Sequence, residues 1–199
     1  MLGNLWKRHR SDGKPVLIAV LVAAGLALIG SFVLSIEAIE LAHSSSASLP
    51  CNINAVISCG AVAQHPSSQV LGFPNSFIGL MTMPILITIV VILLTGVQLP
   101  KWFMRATQVA VVVGVVFAAW MFGMSYLVIQ ALCPWCMLVD VSMLVIAWGI
   151  TRYTIRTGAI GGKAAGRWLD RQYDVFALVG VIVLVAAMII FKFGDALFA

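Results

Sequence analysis

Cys133-Pro134-Trp135-Cys136 places two thiols three positions apart. At that spacing one turn of backbone brings the sulfurs within bonding reach, and a proline restrains the loop between them. Cys51 and Cys59 are the remaining cysteines of the chain. Two thiol pairs can hand a disulfide from one to the other by thiolate attack through mixed disulfides. Next to a bilayer that holds quinone, this becomes electron transfer from thiols to a membrane carrier. Two other readings stand beside it. The pairs could be structural disulfides, although a bridge within Cys133–Cys136 would contribute little because that loop is already local. Four thiolates could also hold copper or zinc. Against a metal, Cys51 and Cys59 are eight positions apart and no histidine lies near the second pair. His43 and His65 read as solvated loop residues, and Met121 and Met124 as packing.

The elements that position these thiols are membrane helices. The 199 residues are 62% hydrophobic and 10% charged, whereas a soluble domain carries charge on about a quarter of its residues. A helix crosses the hydrocarbon core with about 20 apolar residues. Five segments meet that requirement: 16–36, 77–97, 109–129, 134–153 and 175–191. Gln108 and Gln130 bracket the third, and Asp140 interrupts the fourth. The first is long enough to span, so it reads as a helix and not as a cleavable signal. The net charge of +5 does not point to nucleic acid. The cations flank apolar runs, which is how topology is encoded. With five spans, Lys7, Arg8, Arg10, Lys14, Lys101, Arg105, Arg152, Arg156, Lys163, Arg167 and Arg171 fall on one side. Of the 12 lysines and arginines only Lys192 is left on the other. The positive-inside rule makes the crowded side cytoplasmic, with the N-terminus. All four cysteines are then extracytoplasmic, on the oxidising face.

The external segment 37–76 is too long to be a mere connector. Its stretch 54–64 is apolar and free of charge and proline, and predicts a short helix on or in the membrane that carries Cys59. The run Ser44-Ser45-Ser46 reads as loop. Gly72-Phe73-Pro74 breaks the chain, and Asn75-Ser76 then stands before the second span, where Asn and Ser are good helix caps. Asp140 is an ionisable group inside a span, a costly placement that usually faces a cavity or a partner. It shares a helix face with Cys136, which suits proton exchange at a site near that thiol; the alternative is a shallow position touching interfacial water. Trp135 reads as an interfacial anchor, with the wall of a pocket as a second role. Glu37 and Glu40 read as solvated.

Taken together, Cys51, the run Ala55-Val56-Ile57-Ser58-Cys59, the run Pro74-Asn75-Ser76-Phe77-Ile78-Gly79 and CPWC at a helix boundary resemble the vitamin K epoxide reductase family, including its bacterial disulfide-forming members. The resemblance spans about residues 16 to 153. It implies an all-α polytopic membrane protein: a four-helix transmembrane bundle around a quinone site, capped by a short external half-helix, plus a fifth transmembrane helix. The chain divides accordingly into a cytoplasmic segment 1–15, a catalytic core 16–153, a basic cytoplasmic loop 154–174, and 175–199 with the fifth helix and a short tail. The implied function is a membrane thiol oxidase that makes disulfides in a thioredoxin-fold partner outside the cytoplasm and passes electrons to the quinone pool, as menaquinone or ubiquinone. The implied location is a bacterial inner membrane. Carried over by position, Cys51 is the outer shuttle, Cys59 relays to Cys133, Cys136 lies next to the quinone, and Asn75 bonds a quinone carbonyl. One turn after Cys136, where vertebrate members have a tyrosine that contacts the quinone, this chain has Asp140. Many bacterial members carry a fused thioredoxin-like domain after the fifth helix. This sequence ends at Ala199, so the expected partner is a separate protein. The alternative from another class is a membrane transporter or assembly factor whose cysteines are structural or bind a soft metal.

Overall fold

The computed structural model of the chain describes residues 2–44, 49–53, 56–161, 166, 169 and 172–198, with the backbone alone for 2–12 and 195–198. Among these are the helices α1 (Leu2–His43), α2 (Cys59–Gln64), α3 (Ser76–Leu94), α4 (Lys101–Gly123), α5 (Pro134–Arg156) and α6 (Tyr173–Phe198). Five stretches are long and apolar enough to cross a membrane: Gly13–His43, Ser76–Leu94, Lys101–Ile129, Pro134–Arg156 and Tyr173–Gly194. The protein is an all-α polytopic membrane protein.

α1 is the centre of the bundle and packs against both α3 and α5, while α4 packs against α5. Its buried face runs through Leu17, Val20, Ala24, Ala27 and Ser31, residues three or four positions apart that fall on one helix stripe. Small residues let the backbones come close, which is how helices associate where lipid is as apolar as leucine. A Cβ added at Gly79 of α3 would meet the Ser31 hydroxyl, and one added at Gly149 of α5 would collide with Val20. Ser35 donates to the Ser31 carbonyl (2.7 Å) and contacts the Ser76 hydroxyl (2.9 Å), tying α1 to the start of α3. The opposite faces are lipid-facing in character: Val109, Val112, Val113 and Val116 on α4 are exposed, as are Val179, Val183 and Leu184 on α6.

α6 is held at both ends. Asp174 accepts from Arg152 (2.5 Å) and from the Trp148 indole (2.8 Å). At the other end Lys192 donates to the Tyr126 carbonyl, and the Tyr126 ring meets Phe193 edge-on.

The spans differ from the expected boundaries in instructive ways. The third starts at Lys101, not at 109, and carries Gln108 within the helix. The Gln108 amide is satisfied across the interface: it donates to the Thr151 hydroxyl (2.8 Å) and accepts from Thr154 (3.2 Å). A polar residue with its partners met need not end a membrane helix. Beyond Gly123 the same helix continues as a π-helical turn, Met124–Ile129, and stops at Gln130, which adopts a left-handed backbone with φ 56°. α1 runs past 16–36 at both ends, and α6 past 175–191. The external helix predicted over 54–64 begins only at Cys59, because Ile57 pairs with Leu132 in an extended bridge. Asn54 and Ala55 lie outside the described residues, as do Ser45 to Ser48 and the cations Lys163, Arg167 and Arg171; of Lys7, Arg8 and Arg10 only the backbone is described.

The α1–α5 contact at Gly149 has a direct consequence. Gly149→Val forces its side chain against Val20, which is fully buried. Overpacking of this kind costs about 1–3 kcal/mol. The melting temperature of the purified protein in detergent should fall, while the same exchange at Gly180, where an added Cβ meets nothing, should leave it nearly unchanged.

Candidate active site

The two cysteine segments are joined by backbone. Ser58 N donates to the Leu132 carbonyl (3.0 Å), and Leu132 N donates to the Val56 carbonyl (2.6 Å). This short parallel bridge holds the chain before Cys59 beside the chain before Cys133. α2 then starts at once. Ser58 caps it by accepting from Ala61 N (3.2 Å), and the Asn52 side-chain oxygen accepts from Gly60 N (3.0 Å) and contacts the Ser58 hydroxyl (3.0 Å). On the other side, Pro134 occupies the first turn of α5, where its missing N–H costs nothing. Cys133 is the cap of that helix, its Sγ accepting from Cys136 N (3.2 Å).

Cys51 and Cys59 form a disulfide, and Cys133 and Cys136 are free thiols. Cys133 Sγ lies 3.4 Å from Cys59 Sγ. The sulfurs sit in an apolar cluster with Leu49, Val62 and Ala131, against which Leu34, Leu41 and Trp135 pack. Cys59 and Cys133 are each 1% exposed, and Cys51 is 7% exposed. Of the disulfide's two sulfurs, Cys51 therefore has more access to the surface. Glu37, Cys51 and Cys59 offer ligand atoms within 4.8 Å of one another. Two of those atoms are bonded to each other in the disulfide, so the set supplies no thiolate to a metal in this state.

Beneath the cluster lies a cavity of about 400 Å³. Cys59, Cys136, Asp140 and Asn75 line it, together with apolar walls that include Met83, Phe117 and Met121. The bundle thus brings both thiol pairs, Asn75 and Asp140 to one end. Trp135 is not among the lining residues; it packs against the cysteine cluster.

The position of Asn75 matches a helix cap, but its side chain makes no capping bond to α3. It reaches back to the 3₁₀ turn Pro66–Gln69. Its amide donates to the Ser67 carbonyl (2.7 Å), its oxygen accepts from Val70 N (3.2 Å), and the amide nitrogen lies 3.5 Å from the Met121 sulfur. The capping alternative is therefore excluded for the side chain. The turn before it is made by Gly72, whose φ of +81° suits glycine.

Two residues behave differently from their sequence reading. His65 is not merely solvated: its Nδ1 accepts from Ser67 N (3.2 Å) and caps the 3₁₀ turn. Glu37 is buried, with 4% exposure, and its Oε1 lies 3.1 Å from Cys51 Sγ. The available signal was spacing: Leu34, Glu37 and Leu41 fall on one helix face, and both leucines pack on the cysteine cluster. Glu40, on the next face, is exposed as expected.

The family model described as vitamin K epoxide reductase family matches residues 18–151. No individual curated protein matches the chain. The matched stretch holds the four cysteines, Asn75 and Asp140, together with all of the cavity lining named above.

The double role of the Asn75 amide, donor to one carbonyl and acceptor from one N–H, makes a testable distinction. Asn75→Ala leaves the buried Ser67 carbonyl unpaired, a loss of about 1–3 kcal/mol. Asn75→Asp keeps the acceptor but faces that carbonyl with a second oxygen, so it should destabilise at least as much. Thermal melting, with hydrogen exchange at residues 67–70, reads both; full stability in the Asp variant would mean the amide donor is not used.

Proposed function

Since the chain belongs to the vitamin K epoxide reductase family, whose members are membrane redox enzymes that act through cysteines and quinone, we propose that it oxidises the dithiol of a thioredoxin-fold partner outside the cytoplasm and passes the electrons inward. The observation that carries this reading is the 3.4 Å approach of the Cys133 thiol to Cys59 of the Cys51–Cys59 disulfide. Exchange between two disulfides needs one sulfur of each pair in contact, and here one is.

The steps follow from thiol chemistry. A partner thiolate attacks Cys51 Sγ, the Cys51–Cys59 bond breaks, and Cys59 leaves with the electron pair. The partner's second thiolate attacks its own mixed-disulfide sulfur, releasing Cys51 and an oxidised partner. Cys59 then attacks Cys133 of a Cys133–Cys136 disulfide, and Cys136 leaves as the thiolate. Cys51 attacks Cys59 in the resulting Cys59–Cys133 bond, which restores the outer disulfide and frees Cys133. The outer pair bonded and the inner pair free is the redox distribution with which that sequence ends.

The cavity suits a quinone head: apolar walls, a volume within the range of small-molecule sites, and a few polar groups converging on one thiol. Quinone bound there supplies a sink for two electrons and two protons. Asn75 and Asp140 are the groups that would hold its oxygens. Asp140, one turn along α5 from Cys136, would keep a proton at its carboxyl for delivery into the cavity.

The charge pattern supports the orientation. Lys14, Lys101 and Arg156 gather around a second cavity together with Tyr153, at the end of α5 remote from its cysteines. Arg105 donates to the Ala159 carbonyl (2.7 Å) in the same region. By the positive-inside rule that end is cytoplasmic, leaving the cysteines extracytoplasmic.

The relay order is tested in quinone-loaded vesicles. With dithiothreitol as reductant, Cys133→Ala should abolish quinone reduction. Cys51→Ala should retain a measurable part of it, because a small reductant reaches the inner pair directly. With a thioredoxin-fold dithiol protein as reductant, both variants should be inactive. Equal loss in the two variants with dithiothreitol contradicts the assigned order.

A further inference from the structure

Glu37 is a buried carboxyl that the relay above does not use. Its Oε1 lies 3.1 Å from Cys51 Sγ, and its Oε2 is buried with no hydrogen-bond partner. Cys51 is bonded to Cys59, so its sulfur has no hydrogen to give. The contact is a hydrogen bond in this state only if the proton sits on the carboxyl. An ionised group here would face a sulfur with one oxygen and nothing with the other, a costly state away from water. When the outer pair is reduced the roles reverse, and the Cys51 thiol can donate to the carboxylate. The titratable groups around Glu37 are Cys51 and Cys59, Cys133 and Cys136 at the start of α5, Asp140 a turn further along α5, and the exposed Glu40 on α1 itself.

We propose that Glu37 is the catalytic acid and base of the outer cysteine pair, giving a proton to Cys51 as it leaves the partner and taking it back as Cys51 attacks Cys59. This rests on the reading of Cys51 as the sulfur that exchanges with the partner. In the first half, the partner's second thiolate attacks its own mixed-disulfide sulfur. The bond to Cys51 breaks, its electron pair goes to Cys51 Sγ, and the Glu37 proton follows. Cys51 is thereby held as a thiol while Cys59 attacks the inner disulfide. In the second half, Cys51 attacks Cys59 Sγ of the Cys59–Cys133 bond. The electron pair goes to Cys133, and the Cys51 proton returns to Glu37. Glu37 ends as it began, and the only oxidant consumed is the Cys133–Cys136 disulfide. The carboxyl also separates two events in time. While its proton is on Cys51, that sulfur cannot attack the disulfide of the departing partner.

The test uses Glu37→Gln, which keeps the size and a donor but cannot cycle a proton. Purified protein with the outer pair oxidised is mixed with dithiothreitol across a pH series, and the reduction of Cys51–Cys59 is followed by rapid alkylation. The variant should melt like wild type and form the same disulfide. Its outer pair should be reduced about a hundredfold more slowly, the usual scale of a lost general acid, with a flattened pH profile. Glu37→Asp, one methylene shorter, should be slow but keep a pH dependence. A Glu37→Gln protein that matches wild type in rate and profile overturns the proposal. Should that variant fail to fold, Glu37→Asp decides: a slowed rate with a shifted profile supports it, and a wild-type rate and profile overturn it. The underlying reading is checked separately with Cys59→Ala, whose Cys51 thiol should displace thionitrobenzoate from the attacking cysteine of a thioredoxin-fold protein loaded with it and hold that protein as a mixed disulfide, whatever residue stands at 37. Failure of that trap removes the role of Cys51; failure of the Glu37→Gln effect alone removes only the proton relay.

Discussion

The arrangement of the site depends on two backbone hydrogen bonds, from Ser58 N to the Leu132 carbonyl and from Leu132 N to the Val56 carbonyl. They join a loop that follows α1 to a loop that follows α4, segments more than seventy positions apart in the sequence. Because the bridge ends one residue before Cys133 and two before Cys59, both cysteines leave it directly into helix starts. Their sulfurs are thereby set in contact at 3.4 Å. Backbone bonds buried beside apolar side chains are costly to lose, so the bridge holds the two sulfurs together.

From that contact inward, α5 does the positioning. Cys133 caps the helix, Cys136 sits on its first turn, and Asp140 on the next, so one rigid element carries the inner thiols and the carboxyl to the cavity. The far wall comes from the α3 start, where the Asn75 side chain ties down the 3₁₀ turn. α1 serves both ends: its small-residue stripe lets α3 and α5 approach, and its last turns put Leu34, Glu37 and Leu41 against the cysteine cluster. The redox chemistry and the packing are therefore one problem. A looser α1–α5 contact would move the sulfurs as well as the core.

Much of this was legible in the sequence, for physical reasons that can be named. Apolar length against bilayer thickness located five spans, and the CPWC pair at a span boundary marked the start of α5. The family resemblance was carried by residues within the matched stretch 18–151. What escaped reading depended on contacts between distant segments. Gln108 looked like a boundary until Thr151 and Thr154 of another helix supplied its partners. The helix predicted from residue 54 gave way at Ile57 to a bridge whose other half is Leu132. Asn75 looked like a cap because local sequence favours capping, whereas its partners lie in a turn eight and five residues earlier. Glu37 looked solvated because a carboxylate near a helix end usually is; in the fold it is buried, with the sulfur of Cys51, fourteen positions later, against its carboxyl.

The central claim is that the two thiol pairs communicate through Cys59 and Cys133. A chain carrying Cys51→Ala and Cys136→Ala keeps Cys59 and Cys133 as its two cysteines. Mild oxidation of this protein in detergent, followed by proteolysis and mass spectrometry without reduction, reads their state directly. The account predicts a Cys59–Cys133 disulfide within one chain, formed nearly completely. Two free thiols after oxidation, or bonds only between separate chains, would contradict it.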